Sequence, residues 1–63
     1  MSLQPGQRRI IKLFMYPDGW EYEILKVNRC TVRLKNDWLQ ALTVRHEWIE
    51  LLDGMPYLHH APV

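Results

Sequence analysis

Between Cys30 and Lys35 the chain alternates without a fault: Cys30, Val32 and Leu34 are apolar, and Thr31, Arg33 and Lys35 are polar. A period of two is the signature of a strand with one buried and one wetted face. That strand needs a neighbour. The segment before it, Trp20 to Val27, supplies one, because it also alternates and then slips phase at Ile24-Leu25. Such a slip predicts a bulge or sharp bend. Asn28-Arg29 reads as a two-residue hairpin loop, since asparagine tolerates the left-handed conformation at the first loop position.

Counting outward from that loop pairs Val27 with Cys30, Leu25 with Val32, Ile24 with Arg33 and Tyr22 with Lys35. One face then gathers Leu25, Val27, Cys30, Val32 and Leu34 as core. The other gathers Trp20, Tyr22, Ile24, Lys26, Thr31, Arg33 and Lys35, a mixed aromatic and basic surface suited to stacking bases and neutralising phosphates. The candidate nucleic-acid contacts are Tyr22, Lys26, Arg33 and Lys35. On the opposing reading the strand bends, Trp20 and Tyr22 turn inward, and the cations are a solvated face.

Upstream, Arg8 to Tyr16 is an apolar run, and Pro17-Asp18-Gly19 ends it with strong turn chemistry. Downstream, the stretch from Asn36 to Gly54 admits two readings. As a helix it has Asn36 or Asp37 as N-cap, Gln40 in a capping box and Gly54 as C-cap, giving a three-stranded antiparallel sheet plus one C-terminal helix. As β structure, Trp38 to Val44 pairs back after a turn at Asn36-Asp37, Arg45 to Trp48 makes one tight helical turn, and Ile49 to Leu52 closes the fold. Residues 1–54 form the expected domain. Residues 55–63, with two prolines, read as a loose tail.

With 63 residues there is room for one domain. A chain of that size buries about 60% of its unfolded surface, so its core must come from a few large side chains. The 48% hydrophobic content provides them. Cys30 is the only cysteine, which excludes an intrachain disulfide and a multi-thiolate zinc site and suits a reducing, cytoplasmic setting. No apolar run is long enough for a membrane-spanning helix.

The net charge of +1 is low for a nucleic-acid binder, yet its distribution is uneven. Seven of the eight Lys and Arg lie between Met1 and Pro17 or between Ile24 and Asn36, blocks that hold no acid. Segregation of that kind makes patches.

The segments Ile24 to Leu34 and Val44 to Leu51 resemble the hairpin and terminal turn of small Src-homology-3-like barrels of the KOW and Tudor-like type. The resemblance covers Gly19 to Leu52. The glycine that KOW motifs carry before the second strand's apolar run is absent; Tyr22 or Glu23 stands there. The resemblance implies a mostly β, five-stranded barrel with one short helical turn, and a binding module rather than an enzyme.

Catalytic and metal chemistry find no pattern. His59-His60 diverge on any regular backbone, His46 lies far upstream, and no zinc spacing links them. Cys30 with His46 offers a nucleophile and a base in principle, but the alternation places Cys30 on the core face, where a buried thiol is inert; Glu21 and Glu23, a conceivable acid-base pair, read as surface acids. No cofactor is expected.

Two functions follow. The first is nucleic-acid association through the basic face. The second is a small protein-binding adaptor or inhibitor, of the kind mobile elements encode, with Trp38 and Trp48 as interface residues. A homo-oligomer through such aromatic surfaces is included among the expected partners.

Overall fold

Among the described residues six strands, each antiparallel to its sheet neighbours, account for nearly all the regular structure: β1 (Arg8–Leu13), β2 (Trp20–Val27), β3 (Thr31–Lys35), β4 (Ala41–Arg45), β5 (Ile49–Leu52) and β6 (Met55–Pro56). The only helical element among the described residues is a 3₁₀ turn, His46–Trp48, between β4 and β5. These elements come from a computed structural model, which describes residues 3–38 and 40–57.

The strands form one open sheet in the order β4-β3-β2-β1-β5-β6. The fold is mostly β, and the helix considered for Asn36 to Gly54 does not form. The expected strand count was five; the sixth, β6, comes from the supposed tail. Asp53 and Gly54 both take positive φ (52° and 82°) and turn the chain back so that Leu52 faces Met55. Two consecutive left-handed residues match the right-handed twist of the flanking strands, which is why Asp-Gly is favoured in tight hairpins. Residues 58–63, with the rest of the tail and His59-His60, lie outside the described residues.

A single sheet has no second layer to cover it, so it must curl over its own inner face. The buried set comes from β1 to β5 together with Leu3: Ile11, Leu13, Tyr22, Ile24, Val32, Leu34, Val44, Ile49 and Leu52. The long β2 makes the curl possible. Its first half pairs with β1 (Trp20 with Ile11, Glu23 with Arg8), and its second half pairs with β3 (Glu23 with Lys35, Val27 with Val32).

A bulge between Ile24 and Lys26 shifts the register within the β2–β3 pairing, at the place where the sequence slips phase. A bulge bends the strand and increases its twist. The N-terminal segment seals the bend: Gly6 N–H donates to the Ile24 carbonyl and Ile24 N–H to the Gln7 carbonyl, both at 2.8 Å.

Two expectations fail at the β2–β3 hairpin. Its tip is Arg29-Cys30, one residue later than read, with Val27 opposite Val32. Asn28 is not the first loop residue but the flank of the turn, its N–H donating to the Thr31 carbonyl (2.8 Å) and its side-chain amide to Thr31 Oγ1 (3.2 Å). Cys30 is consequently exposed rather than a core thiol.

Candidate functional site

Residues directly opposite one another in an antiparallel pair share a face. Lys26 faces Arg33, Arg33 faces Thr43, Thr31 faces Arg45, and Lys35 lies between Glu23 and Ala41. The inner partners of the same strands are Val32, Leu34 and Val44, all buried. Lys26, Arg33, Lys35 and Arg45 therefore stand together on the outer face of β2-β3-β4. Three of the four were expected there; Arg45 was not, although its parity with Thr43 in a strand would have revealed it.

The two halves of the outer surface differ in their ion pairing. Around β1 the cations are matched: Arg8 reaches Glu21 (3.0 Å) and Asp37 (2.8 Å), Arg9 reaches Asp53 (2.6 Å), and Lys12 reaches Glu50 (2.9 Å). On β2-β3-β4, Arg45 has a long contact to Glu47 (3.3 Å), while Lys26, Arg33 and Lys35 form no ion pair among the described residues. Like charges directly opposite on neighbouring strands destabilise a sheet by about 0.2–1 kcal/mol. Lys26 facing Arg33 is such a pair, and an anion lying between them would relieve it.

Tyr22 does not belong to this surface. Its ring is only 2% exposed, in the core with Ile24. The reason is the bulge. Counting by twos from Lys26 back to Tyr22 crosses the extra residue, which exchanges the faces, so Tyr22 and Ile24 point inward while Lys26 and Arg33 point outward. Burial, then the nearby Tyr16, push the Tyr22 hydroxyl above the usual tyrosine range. No base can stack on that ring.

The exposed aromatic side chains lie elsewhere. Tyr16 and Trp20 stack at 5.4 Å with planes 19° apart, and Trp38 meets Trp20 at 5.6 Å and 60°. Trp38 sits in the β3–β4 loop rather than in a strand and is 70% exposed. Trp48 is half-buried against the core, edge-on to the exposed Phe14 at 6.1 Å. Of the two tryptophans expected at a protein interface, Trp38 is thus the free one.

His46 is a buried bridging group. Its ring is 4% exposed and bridges two distant segments: Nε2–H donates to the Asn28 carbonyl (2.8 Å), and Nδ1 shares a hydrogen bond with the Tyr57 hydroxyl (2.8 Å). Because a carbonyl only accepts, the proton of the first bond belongs to Nε2. Cys30, the conceivable nucleophile, meets His46 through the backbone, its carbonyl accepting from the His46 N–H (3.2 Å), while Cys30 itself is exposed.

Glu21, the conceivable acid partner of Glu23, is tied to Arg8. A shallow recess of about 250 Å³ between Ile10, Lys12, Gly19, Leu51 and Gly54 is lined mainly by apolar groups. Among the described residues no group of three or more His, Cys, Asp or Glu is placed to hold a metal ion, and no helix is long and apolar enough to cross a membrane. Comparison with protein-family models, with curated proteins and with solved structures returns no match to this chain.

Proposed function

We propose that this chain is a non-enzymatic binding module that associates with nucleic acid through the outer face of β2-β3-β4. The observation that carries the reading is the opposition of Lys26 and Arg33, two like charges facing each other across β2 and β3, with Lys35 farther along β3 opposite Glu23 and none of the three in an ion pair among the described residues. Phosphates supply the missing charge, and Thr31 and Thr43 on the same face supply hydroxyl donors. The consecutive order β5-β1-β2-β3-β4, the long β2 shared between two halves and the 3₁₀ turn leading into β5 support a Src-homology-3-like barrel of the KOW or Tudor-like type as the scaffold.

The test is an anisotropy titration of a labelled oligonucleotide at several salt concentrations. Each of Lys26→Ala, Arg33→Ala and Lys35→Ala should lower the slope of log affinity against log salt by about 1. Absence of binding at low salt, where counterion release favours association most, would remove the reading.

A second reading, the protein-binding adaptor or inhibitor, is favoured by a different observation. Phe14, Tyr16, Trp20 and Trp38 expose large apolar surface on one 63-residue chain, and protein interfaces concentrate their energy in such aromatic anchors. Under that reading the triple alanine variant of Lys26, Arg33 and Lys35 keeps its partner, whereas Trp38→Ala loses it.

A further inference from the structure

We infer that the nucleic acid held on this face is single-stranded and that Trp38 is the platform on which one of its unpaired bases stacks. The inference rests on the basic-face reading and adds the form of nucleic acid to it.

The β3 strand carries Arg33 and Lys35 outward and runs directly into the loop that bears Trp38. Three chain steps of 3.8 Å place the Trp38 backbone within about 11 Å of Lys35. Asn36 ties Trp38 and Gln40 to the end of β3: its Oδ1 accepts from Trp38 N–H (3.0 Å) and Gln40 N–H (3.1 Å), while its own N–H donates to the Gln40 carbonyl (3.2 Å). The indole meets Trp20 at 60° rather than stacking flat and is 70% exposed, which leaves ring surface open to a ligand. Trp20 is itself backed by the stacked Tyr16.

The carboxylates around the Trp38 loop leave that end of the sheet net negative, since one guanidinium serves two of them and Glu23 stands opposite Lys35. Asp37 is held at 2.8 Å by the Arg8 guanidinium, which also holds Glu21. Asp18, in the β1–β2 turn, belongs to the Tyr16 and Trp20 end of the array by its place in the chain. The charge gradient thus orients a bound strand, with its phosphates over Lys26, Arg33 and Lys35 and a base over Trp38.

A duplex cannot use that platform, because its bases are stacked on one another and only their edges and backbone are presented. A single strand offers its base faces, and a base–aromatic stack beside a cationic track is the usual way such strands are held.

The experiment uses the full chain with two fluorescein-labelled probes, an oligothymidylate of roughly 12 nucleotides, within the usual site range, and a duplex of the same length. Circular dichroism of each variant reports its folding. The expected result is tighter binding of the oligothymidylate. Trp38→Ala should weaken it about 5- to 100-fold without changing its salt slope, Trp38→Phe should restore part of the loss, and duplex binding should not respond to either substitution.

Equal affinity for both probes, or single-strand binding indifferent to Trp38→Ala, overturns the inference while leaving the basic face intact. Failure of the wild-type chain to bind either probe at low salt overturns both.

Discussion

Replacing His46 by alanine tests whether the buried imidazole is a clamp. The ring ties the β2–β3 hairpin, through the Asn28 carbonyl, to Tyr57 beyond β6, and it stacks on the Tyr57 ring at 6.0 Å with planes 14° apart. Each hydrogen bond contributes about 1 kcal/mol net, and the ring pair about 0.5–1.5 kcal/mol. Their joint loss comes to about 3 kcal/mol.

A chain of 63 residues at about 0.05–0.15 kcal/mol per residue has only about 3–9 kcal/mol in total. The variant therefore gives up a third or more of its stability, a fall in Tm of roughly 12–24 °C at about 4–8 °C per kcal/mol. Urea titration followed by circular dichroism measures the loss directly. Tyr57→Phe, which keeps the stack and removes one hydroxyl, should cost about 1 kcal/mol. In the double variant the two losses should not add, because both substitutions break the same bond. A loss below about 0.5 kcal/mol for His46→Ala, or strict additivity in the cycle, would refute the clamp.

Two further outcomes are expected. The Arg9 guanidinium, and after it the Ile10 N–H, hold the Asp53 carboxyl below its ordinary value of 3.8. In acid the unfolded chain therefore binds the extra proton first, so the stabilisation from Asp53 is complete above pH about 4 and disappears as pH falls through the lowered folded value. Asp53→Asn should flatten the acid limb of a plot of urea midpoint against pH; an unchanged limb would contradict the docking of this turn on β1. At the hairpin tip, native Cys30 should react with a thiol reagent about as fast as in the urea-unfolded chain, and Cys30→Ser should change stability by less than about 0.5 kcal/mol. Strong protection of the thiol would return Cys30 to the interior.

The alternation in β3, the Pro17-Asp18-Gly19 turn and the phase slip in β2 are legible because each is a local pattern with a local cause, whereas the helical turn before β5 is only one of two readings of its stretch, favoured by the resemblance to small barrels. What was not legible depends on consequences of those patterns. The slip at Leu25 was recognised as a bulge, but its effect on parity was not carried back to Tyr22, and so a core ring was assigned to the surface. Asn28 was given the loop position that its conformational tolerance suggests, whereas its amide hydrogen bond to Thr31 makes it the flank. A turn confined to Asn36-Asp37 starts the next strand at Trp38, whereas Asn36 has the acceptor needed to draw Trp38 and Gln40 into a longer loop. Gly54 was weighed as a helix cap, and its partnership with Asp53 in a tight hairpin was overlooked. The cations of the candidate site were found because outward parity within one strand survives all of these errors.

The pairing of β1 with β5 also governs the order of events when the chain folds. Residues facing each other across β2, β3 and β4 lie 5 to 14 positions apart, as in Val27 with Val32 and Thr31 with Arg45. Ile11 and Leu52 are 41 positions apart (52 − 11), and closing that loop costs about 3 kcal/mol by the (3/2)RT ln n rule. Local contacts form before distant ones for this reason. The three-stranded meander can nucleate early, with Val32, Leu34 and Val44 still uncovered on one side. During synthesis this half-built surface stays open to water, chaperones and other chains until Leu52 has left the ribosome. The last strand of the core is therefore also the point at which the chain ceases to be vulnerable.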